Sequence, residues 1–115
     1  MVDDNPQFRD VAAVLLAERG ITVLGEAADA NQALHVAARA CPDGILLDIG
    51  LPGADGFAAA TALAALCPGA RIVLTSANVT AVPDRLLTEC VATAFVPKDE
   101  LARADLGALF RPAGT

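Results

Sequence analysis

Four short apolar runs alternate along this 115-residue chain with longer segments of helical periodicity. The apolar runs predict strands over residues 21–26, 43–49, 71–75 and 92–96. The remaining segments predict helices over residues 6–19, 30–40, 56–66, 82–90 and 99–109. Because strands that alternate with helices through short loops form parallel sheets covered by helices on both faces, we predict an α/β fold.

The sheet of such a fold is predicted to have a truncated first strand. Right-handed crossovers leave few topologies at this length, and the flavodoxin-like doubly wound order 2-1-3-4-5 is the common one. This order needs a central strand at the amino terminus, where only Met1 and Val2 precede an acidic pair. The truncation is compatible with a clipped or misassigned start and with a domain of reduced stability.

Composition and charge exclude several kinds of partner. The chain is 55% hydrophobic, so residues 1–115 are predicted to form one domain with a single core. Its net charge of −6 argues against direct binding of nucleic acid, which needs clustered Lys and Arg. No apolar stretch is long enough to cross a membrane, and no signal-peptide pattern opens the chain, so we predict a cytoplasmic location.

Three cysteines, Cys41, Cys67 and Cys90, are widely spaced and form no CxxC motif. An odd number of cysteines without a secretion signal suggests free thiols in a reducing cytosol. We therefore expect these residues to be small packing side chains, with no role in metal binding or redox chemistry.

Acidic residues follow two of the predicted strands. Asp48 ends the apolar run of residues 45–49, and Asp3 and Asp4 end the stub of the first strand. In the predicted order these strands are neighbours, and open α/β sheets bind ligands at the carboxyl ends of their strands. Three converging carboxylates predict a cation site, a reactive carboxylate, or both.

Other residues complete a site that is suited to phosphoryl transfer. Asp48 is the candidate nucleophile, because carboxylates form aspartyl-phosphates. Mg²⁺ prefers oxygen ligands, which Asp3, Asp4 and the backbone carbonyl of Gly50 could supply. Two residues that end later strands, Thr75 and Lys98, could hold phosphoryl oxygens through a hydroxyl and a positive charge.

The chain resembles the receiver domains of two-component response regulators, of the subfamily usually joined to a helix-turn-helix DNA-binding domain. The resemblance covers nearly the whole chain in order and spacing. It rests on four segments: VDDNP at residues 2–6, ILLDI at 45–49 with LP and DG following, VLTSA at 73–77, and FVPKD at 95–99.

The resemblance implies a role for each matching residue. Asp48 would be the phosphoacceptor. Asp4 would bind Mg²⁺ directly, Asp3 through water, Asp48 through its carboxylate and Gly50 through its backbone. Thr75 and Lys98 would hold the phosphoryl group as the catalytic pair.

Two further residues would serve access and switching. Ser76 is small enough to leave the site accessible, and Phe95 matches the aromatic switch position on the last strand. Movement of Thr75 and Phe95 would reshape the surface formed by the fourth helix, fifth strand and fifth helix.

The sequence departs from the family pattern at three points. Pro97 precedes Lys98 and Asp99 follows it, so the Lys–Pro bond common in the family is absent. Residues 90–94 lack the family's Ala-Gly-Ala turn, and Gly50 places no side chain over the site. The chain also ends at Thr115, so it is either a stand-alone receiver or part of a longer regulator.

The leading hypothesis is a Mg²⁺-dependent phospho-receiver that acts as a switch more than as a turnover enzyme. A sensor histidine kinase or phosphotransfer protein would phosphorylate it, and a homodimer is possible. The alternative is a degenerate receiver that is never phosphorylated and only binds proteins. A haloacid-dehalogenase-like phosphatase ranks last, because the second Asp of those enzymes would stand at Gly50.

Overall fold

The computed structural model describes residues 1–51, 55–77, 92 and 94–110. Three α-helices precede or separate the strands, and a 3₁₀-helix and a short α-helix follow the last strand. The elements are α1 (Pro6–Glu18), α2 (Ala30–Arg39), β1 (Gly44–Asp48), α3 (Gly56–Leu66), β2 (Arg71–Ser76), β3 (Ala94–Pro97), the 3₁₀-helix Lys98–Arg103 and α4 (Leu106–Phe110).

The three strands form a parallel sheet in the order β1-β2-β3. Their register brings Asp48 opposite Thr75, and Thr75 opposite Val96, at the carboxyl ends of the strands. This confirms the predicted α/β class with a parallel sheet. The predicted helix over residues 82–90 lies outside the described residues.

Val2 takes the place of the truncated first strand. It forms parallel bridges to Ala27 on one side and Leu47 on the other. Its N–H donates to the Leu46 carbonyl, and its carbonyl accepts from the Asp48 N–H, at 2.8 and 2.9 Å. The order around Val2 is therefore consistent with 2-1-3-4-5.

The strand predicted over residues 21–26 does not form. Only Ala27, just beyond the predicted range, bridges to the amino-terminal segment. The physical reason is the missing partner, because Met1 and Val2 offer too few backbone groups for a ladder along the whole predicted strand.

Alternation along β1 divides the core into two layers. Ile45 and Leu47 point to the face covered by α2 and α3, and Leu46 points to the face covered by α1, the 3₁₀-helix and α4. All three side chains are buried. Burial on both faces explains why the strand is an unbroken apolar run.

Helix ends follow the predicted signals. Asp29 caps α2 with its side chain, which accepts from the Gln32 N–H at 2.8 Å. Gly20 follows α1 with a φ of +74°, a left-handed conformation that favours glycine.

The helix predicted over residues 99–109 is divided in two. The 3₁₀-helix ends at Arg103, and Ala104 is extended with a ψ of 148°. The Asp105 side chain then accepts from the Ala108 N–H at 3.0 Å. The prediction of one helix was wrong because a short polar side chain offers this backbone a local alternative to continued helix.

Cys41 and Cys67 form a disulfide, so the prediction that these two cysteines are free thiols was wrong. Cys41 follows α2 and Cys67 follows α3, and the two helices pack together. That packing brings the two Cα atoms to 5.5 Å, within the usual range for a disulfide. Sequence spacing could not reveal this proximity.

None of the described helices has the length and apolar character needed to span a bilayer.

Candidate functional site

Three carboxylates meet at the carboxyl end of the sheet, as predicted. One oxygen from each of Asp3, Asp4 and Asp48 lies within 4.8 Å of the others. Asp3 is 1% exposed and Asp48 5% exposed, whereas Asp4 is open to solvent. The cluster arises because the bridges of Val2 align the amino terminus with the end of β1.

One backbone N–H holds the buried carboxylate of Asp3, and a side chain holds its backbone carbonyl. The Asn5 N–H donates to Asp3 Oδ1 at 2.8 Å. The Arg9 guanidinium donates to the Asp3 carbonyl and also pairs with Glu26 at 3.0 Å. Asp3 is therefore held between α1 and the segment that leads to Ala27.

Asp48 is bound through both carboxylate oxygens. The Gly50 N–H donates to Oδ1 at 2.9 Å, and the Lys98 ammonium donates to Oδ2 at 3.3 Å. Burial raises the pKa of Asp48 above its ordinary value, although the Gly50 N–H and the Lys98 charge oppose that shift. The ionised form of this carboxylate is therefore destabilised, and a cation bound beside it would stabilise that form.

Lys98 is shared between two carboxylates. Its ammonium lies 2.7 Å from Asp3 Oδ2, closer than its 3.3 Å distance to Asp48. Burial by itself lowers the pKa of Lys98, but the hydrogen bond to Asp3 and the charges of both carboxylates raise it above its usual value. Lys98 is therefore a cation throughout the physiological range.

The Thr75 side chain is fully buried beside this cluster. Its Oγ1 atom has no hydrogen-bond partner among the described residues. An unpaired buried hydroxyl is costly, so it marks a place where a ligand oxygen would be stabilised. Ser76 follows it and is also buried, at 8% exposure.

Phe95 is partly buried and packs against the core layer beneath α2 and α3. It is the second residue of β3, and its role at the switch position remains a prediction. The carbonyl of Gly50 remains a predicted cation ligand, and the role found for this residue is donation of its N–H to Asp48.

Two residues near the site were not predicted from the sequence. The Phe8 ring lies under the Lys98 ammonium, which is 4.3 Å from the ring centroid. Arg9 supports the backbone of Asp3. No pattern in the sequence marked either residue as part of the site. The Phe8 contact joins distant parts of the chain, and the Arg9 contact is local but belongs to no recognised motif.

The charges in the site fit a divalent cation. Three carboxylates and one ammonium leave a net charge of −2 within a small volume. Oxygen donors in this number suit Mg²⁺ and similar hard cations, which prefer carboxylates and water. Asp3, Asp4 and Asp48 are the residues that would hold the cation.

A parallel α/β sheet with an acidic cluster and a lysine at its carboxyl edge defines a receiver-type domain, and comparisons with known proteins agree. The family of response regulator receiver domains matches residues 1–109. The chain therefore belongs to that family and is a phospho-receiver domain of two-component signalling.

Solved receiver structures share the fold over nearly the whole chain. A response regulator from Burkholderia pseudomallei, solved with a phosphorylated aspartic acid and a calcium ion, has a TM-score of 0.80 at 26% identity; the match covers 94% of this chain and 63% of that one. A LuxR-family response regulator from Aurantimonas has a TM-score of 0.78 at 29% identity, with coverages of 94% and 81%.

Curated relatives are longer proteins. A protein-glutamate methylesterase/protein-glutamine glutaminase from Anaeromyxobacter dehalogenans is 37% identical over 103 residues, which are 88% of this chain and 28% of that protein. Relatives from Pseudomonas aeruginosa and Bordetella pertussis carry names of transcription regulators. The chain spans between 22% and 48% of the first curated relatives.

Proposed function

We propose that Asp48 accepts a phosphoryl group from the phosphohistidine of a sensor histidine kinase or a phosphotransfer protein. Asp3, Asp4, Asp48 and the Gly50 carbonyl would bind Mg²⁺, and residues 1–115 would act as one domain. The observation that carries the proposal is the position of Asp48. It is a buried carboxylate that lies 3.3 Å from a lysine, within an acidic cluster.

The transfer needs little chemistry beyond positioning. A carboxylate oxygen of Asp48 forms a bond to phosphorus while the phosphorus–nitrogen bond of the phosphohistidine breaks, and the imidazole leaves with the bonding electron pair. Lys98 and the Thr75 hydroxyl, which has no hydrogen-bond partner in the described part of the chain, would each stabilise a phosphoryl oxygen. A bound Mg²⁺ would supply further neutralisation of the phosphoryl charge. The same residues would serve self-catalysed phosphorylation and dephosphorylation, with the protein acting as a switch.

Signal output would follow from the same local change. In our proposal Thr75 moves toward the phosphoryl group and Phe95 turns inward, which reshapes the surface around the last strand. Ser76 would leave the entrance open. We further propose that the protein acts in the cytoplasm. Its output would reach a protein partner or a second copy, with no direct contact to nucleic acid or membrane.

The direct test is intact mass after incubation with acetyl phosphate. We expect a gain of one phosphoryl group that requires Mg²⁺ and is removed by hydroxylamine, as an acyl phosphate should be. Fragment masses should place the group on Asp48. A folded protein that gains no phosphoryl group would instead support the degenerate receiver. The shortened first strand, which forms only two bridges, would then explain a poorly supported Asp3 and weak cation binding.

Cation binding is tested separately by thermal unfolding. Mg²⁺ at 100 times its dissociation constant should stabilise the fold by about 2.7 kcal/mol. Asp4→Asn should weaken Mg²⁺ binding at least about 10-fold, because loss of even an outer-shell partner costs that much and Asp4 is expected to bind the cation directly. Asp4 is exposed, so the variant should fold normally.

The matched control for this measurement is Asp10→Asn. Asp10 is an exposed carboxylate on α1 and lies outside the acidic cluster. Its variant should keep the full response to Mg²⁺. Equal responses in all three proteins would contradict a cation site at Asp4.

A further inference from the structure

Phe8 gives the Lys98 ammonium a third partner. Nζ lies 4.3 Å from the centroid of the Phe8 ring, 2.7 Å from Asp3 and 3.3 Å from Asp48. The face of an aromatic ring carries negative electrostatic potential and attracts cations within about 6 Å. We propose that Phe8 is a positioning residue, whose ring keeps Lys98 beside Asp48 when a cation binds the Asp3 carboxylate. This inference rests on the proposed function.

The backbone of Phe8 is fixed at the start of α1. Pro6 occupies the first turn of the helix, and the Asn5 side chain caps it by accepting from the N–H groups of Gln7 and Phe8. Proline in the first turn and an asparagine cap both favour helix initiation. The ring therefore starts from a well-defined backbone position next to the acidic pair.

The element that carries Lys98 is attached to the same helix. Arg19, which follows α1, donates from its guanidinium to the Ala102 carbonyl in the 3₁₀-helix at 2.8 Å. Leu101 is 2% exposed and belongs to the core layer of Ala12 and Leu16. Phe8 lies within α1 and Lys98 begins the 3₁₀-helix, so packing between these two elements sets the distance between the two residues.

Lys98 and a divalent cation would compete for the Asp3 carboxylate, and the Phe8 ring gives Lys98 a partner outside that competition. Asp3 is the nearer carboxylate of Lys98 and is also a proposed cation ligand. A divalent cation on Asp3 would repel the ammonium and occupy the carboxylate. The Phe8 ring binds no metal and keeps its attraction for the ammonium. Lys98 would then remain near Asp48, where it can stabilise the incoming phosphoryl group.

Partial burial increases the effect of the contact. The Lys98 side chain is 18% exposed, so water replaces its partners poorly. Cation–π contacts are stronger when the cation is desolvated. The competing explanation is that Phe8 only covers the aliphatic stem of Lys98. A leucine at this position would fulfil that packing role equally well.

Phe8→Leu and Phe8→Tyr separate the two explanations. Leucine keeps an apolar side chain, whereas tyrosine keeps the ring. In the metal-free protein, NMR should show the Lys98 Hε protons shifted upfield by the ring current in the wild type and Phe8→Tyr. The shift should persist when Mg²⁺ is added, and it should be absent in Phe8→Leu. Circular dichroism checks that each variant is folded.

The kinetic arm uses acetyl phosphate at saturating Mg²⁺. The maximal rate of phosphorylation should fall about 2- to 10-fold in Phe8→Leu, with little change in KM or in Mg²⁺ affinity, and Phe8→Tyr should recover it. A normal rate in Phe8→Leu, or a ring-current shift lost upon addition of Mg²⁺, would overturn the proposal. If the wild type accepts no phosphoryl group, the proposed function fails, and the NMR comparison still decides whether Phe8 holds Lys98.

Discussion

Asp48→Asn should abolish phosphorylation and also make the metal-free protein more stable. An amide cannot form the acyl phosphate, so phosphoryl incorporation should fall at least about 100-fold. The gain in stability follows from burial, which raises the pKa of Asp48 and therefore destabilises its ionised form at neutral pH. After removal of that charge, Lys98 still keeps its ion pair with Asp3, which is the closer of its two carboxylate partners. We expect the melting temperature to rise by a few degrees at pH 7.

The pH dependence of this stability difference has a definite sign. A carboxyl whose pKa is raised in the folded state binds protons more tightly folded than unfolded, so its ionisation costs stability as pH rises. The advantage of Asp48→Asn should be full above the raised pKa and vanish as pH falls toward the ordinary value of about 3.9. Thermal unfolding between pH 4 and pH 8 measures it.

Asp43→Asn is the control for Asp48→Asn. Asp43 is an exposed carboxylate next to the opposite end of β1. Its variant should be phosphorylated normally and should show no comparable pH-dependent gain. A phosphoryl group retained on the Asp48→Asn protein would contradict the assignment of the phosphoacceptor.

Gly56→Ala should be the most destabilising of the conservative substitutions near the site. A Cβ at Gly56 would lie 2.3 Å from the Cα of Ile49 and 2.8 Å from its carbonyl oxygen. Backbone atoms cannot rotate away as a side chain can, so α3 or the end of β1 must shift. Overpacking of this kind typically costs about 1–3 kcal/mol. Because Ile49 follows Asp48, the shift should also slow phosphorylation.

Gly69→Ala provides the matched comparison. Gly69 is exposed, and no atom lies within 4 Å of the position that its Cβ would take. This variant should be neutral or more stable by up to about 1 kcal/mol, because alanine reduces the freedom of the unfolded chain. Urea unfolding of both variants measures the difference. Equal stabilities would show that the start of α3 can move away from Ile49 at little cost.

The sequence predicted the main positions of the site because they depend on the sheet. Asp48 ends an unbroken apolar run, and burial of that run on both faces places the residue at the carboxyl edge. Asp3, Asp4 and Lys98 follow other members of the same sheet and therefore reach the same edge. The resemblance to receivers added residue roles that periodicity could not supply.

Hydrogen bonds of a few particular residues explain the two secondary-structure predictions that were wrong. Residues 21–26 have strand-like composition, but a strand requires a partner, and the short amino-terminal segment forms a β-bridge on that side only between Val2 and Ala27. Residues 99–109 have helical periodicity, but Asp105 begins a new helix within them. In both cases the decisive hydrogen bonds are specific to a few residues and leave the hydrophobic pattern unchanged.

The α/β class, the acidic cluster and the family could be predicted without a structure, because these depend on periodicity and on motifs that are local in the chain. Contacts between distant residues became visible only in the folded protein: the disulfide of Cys41 and Cys67, the sharing of Lys98 between Asp3 and Asp48, and the Phe8 ring beneath it. Each depends on how two elements pack, and a distance of a few ångströms across the core leaves no pattern in the order of the residues.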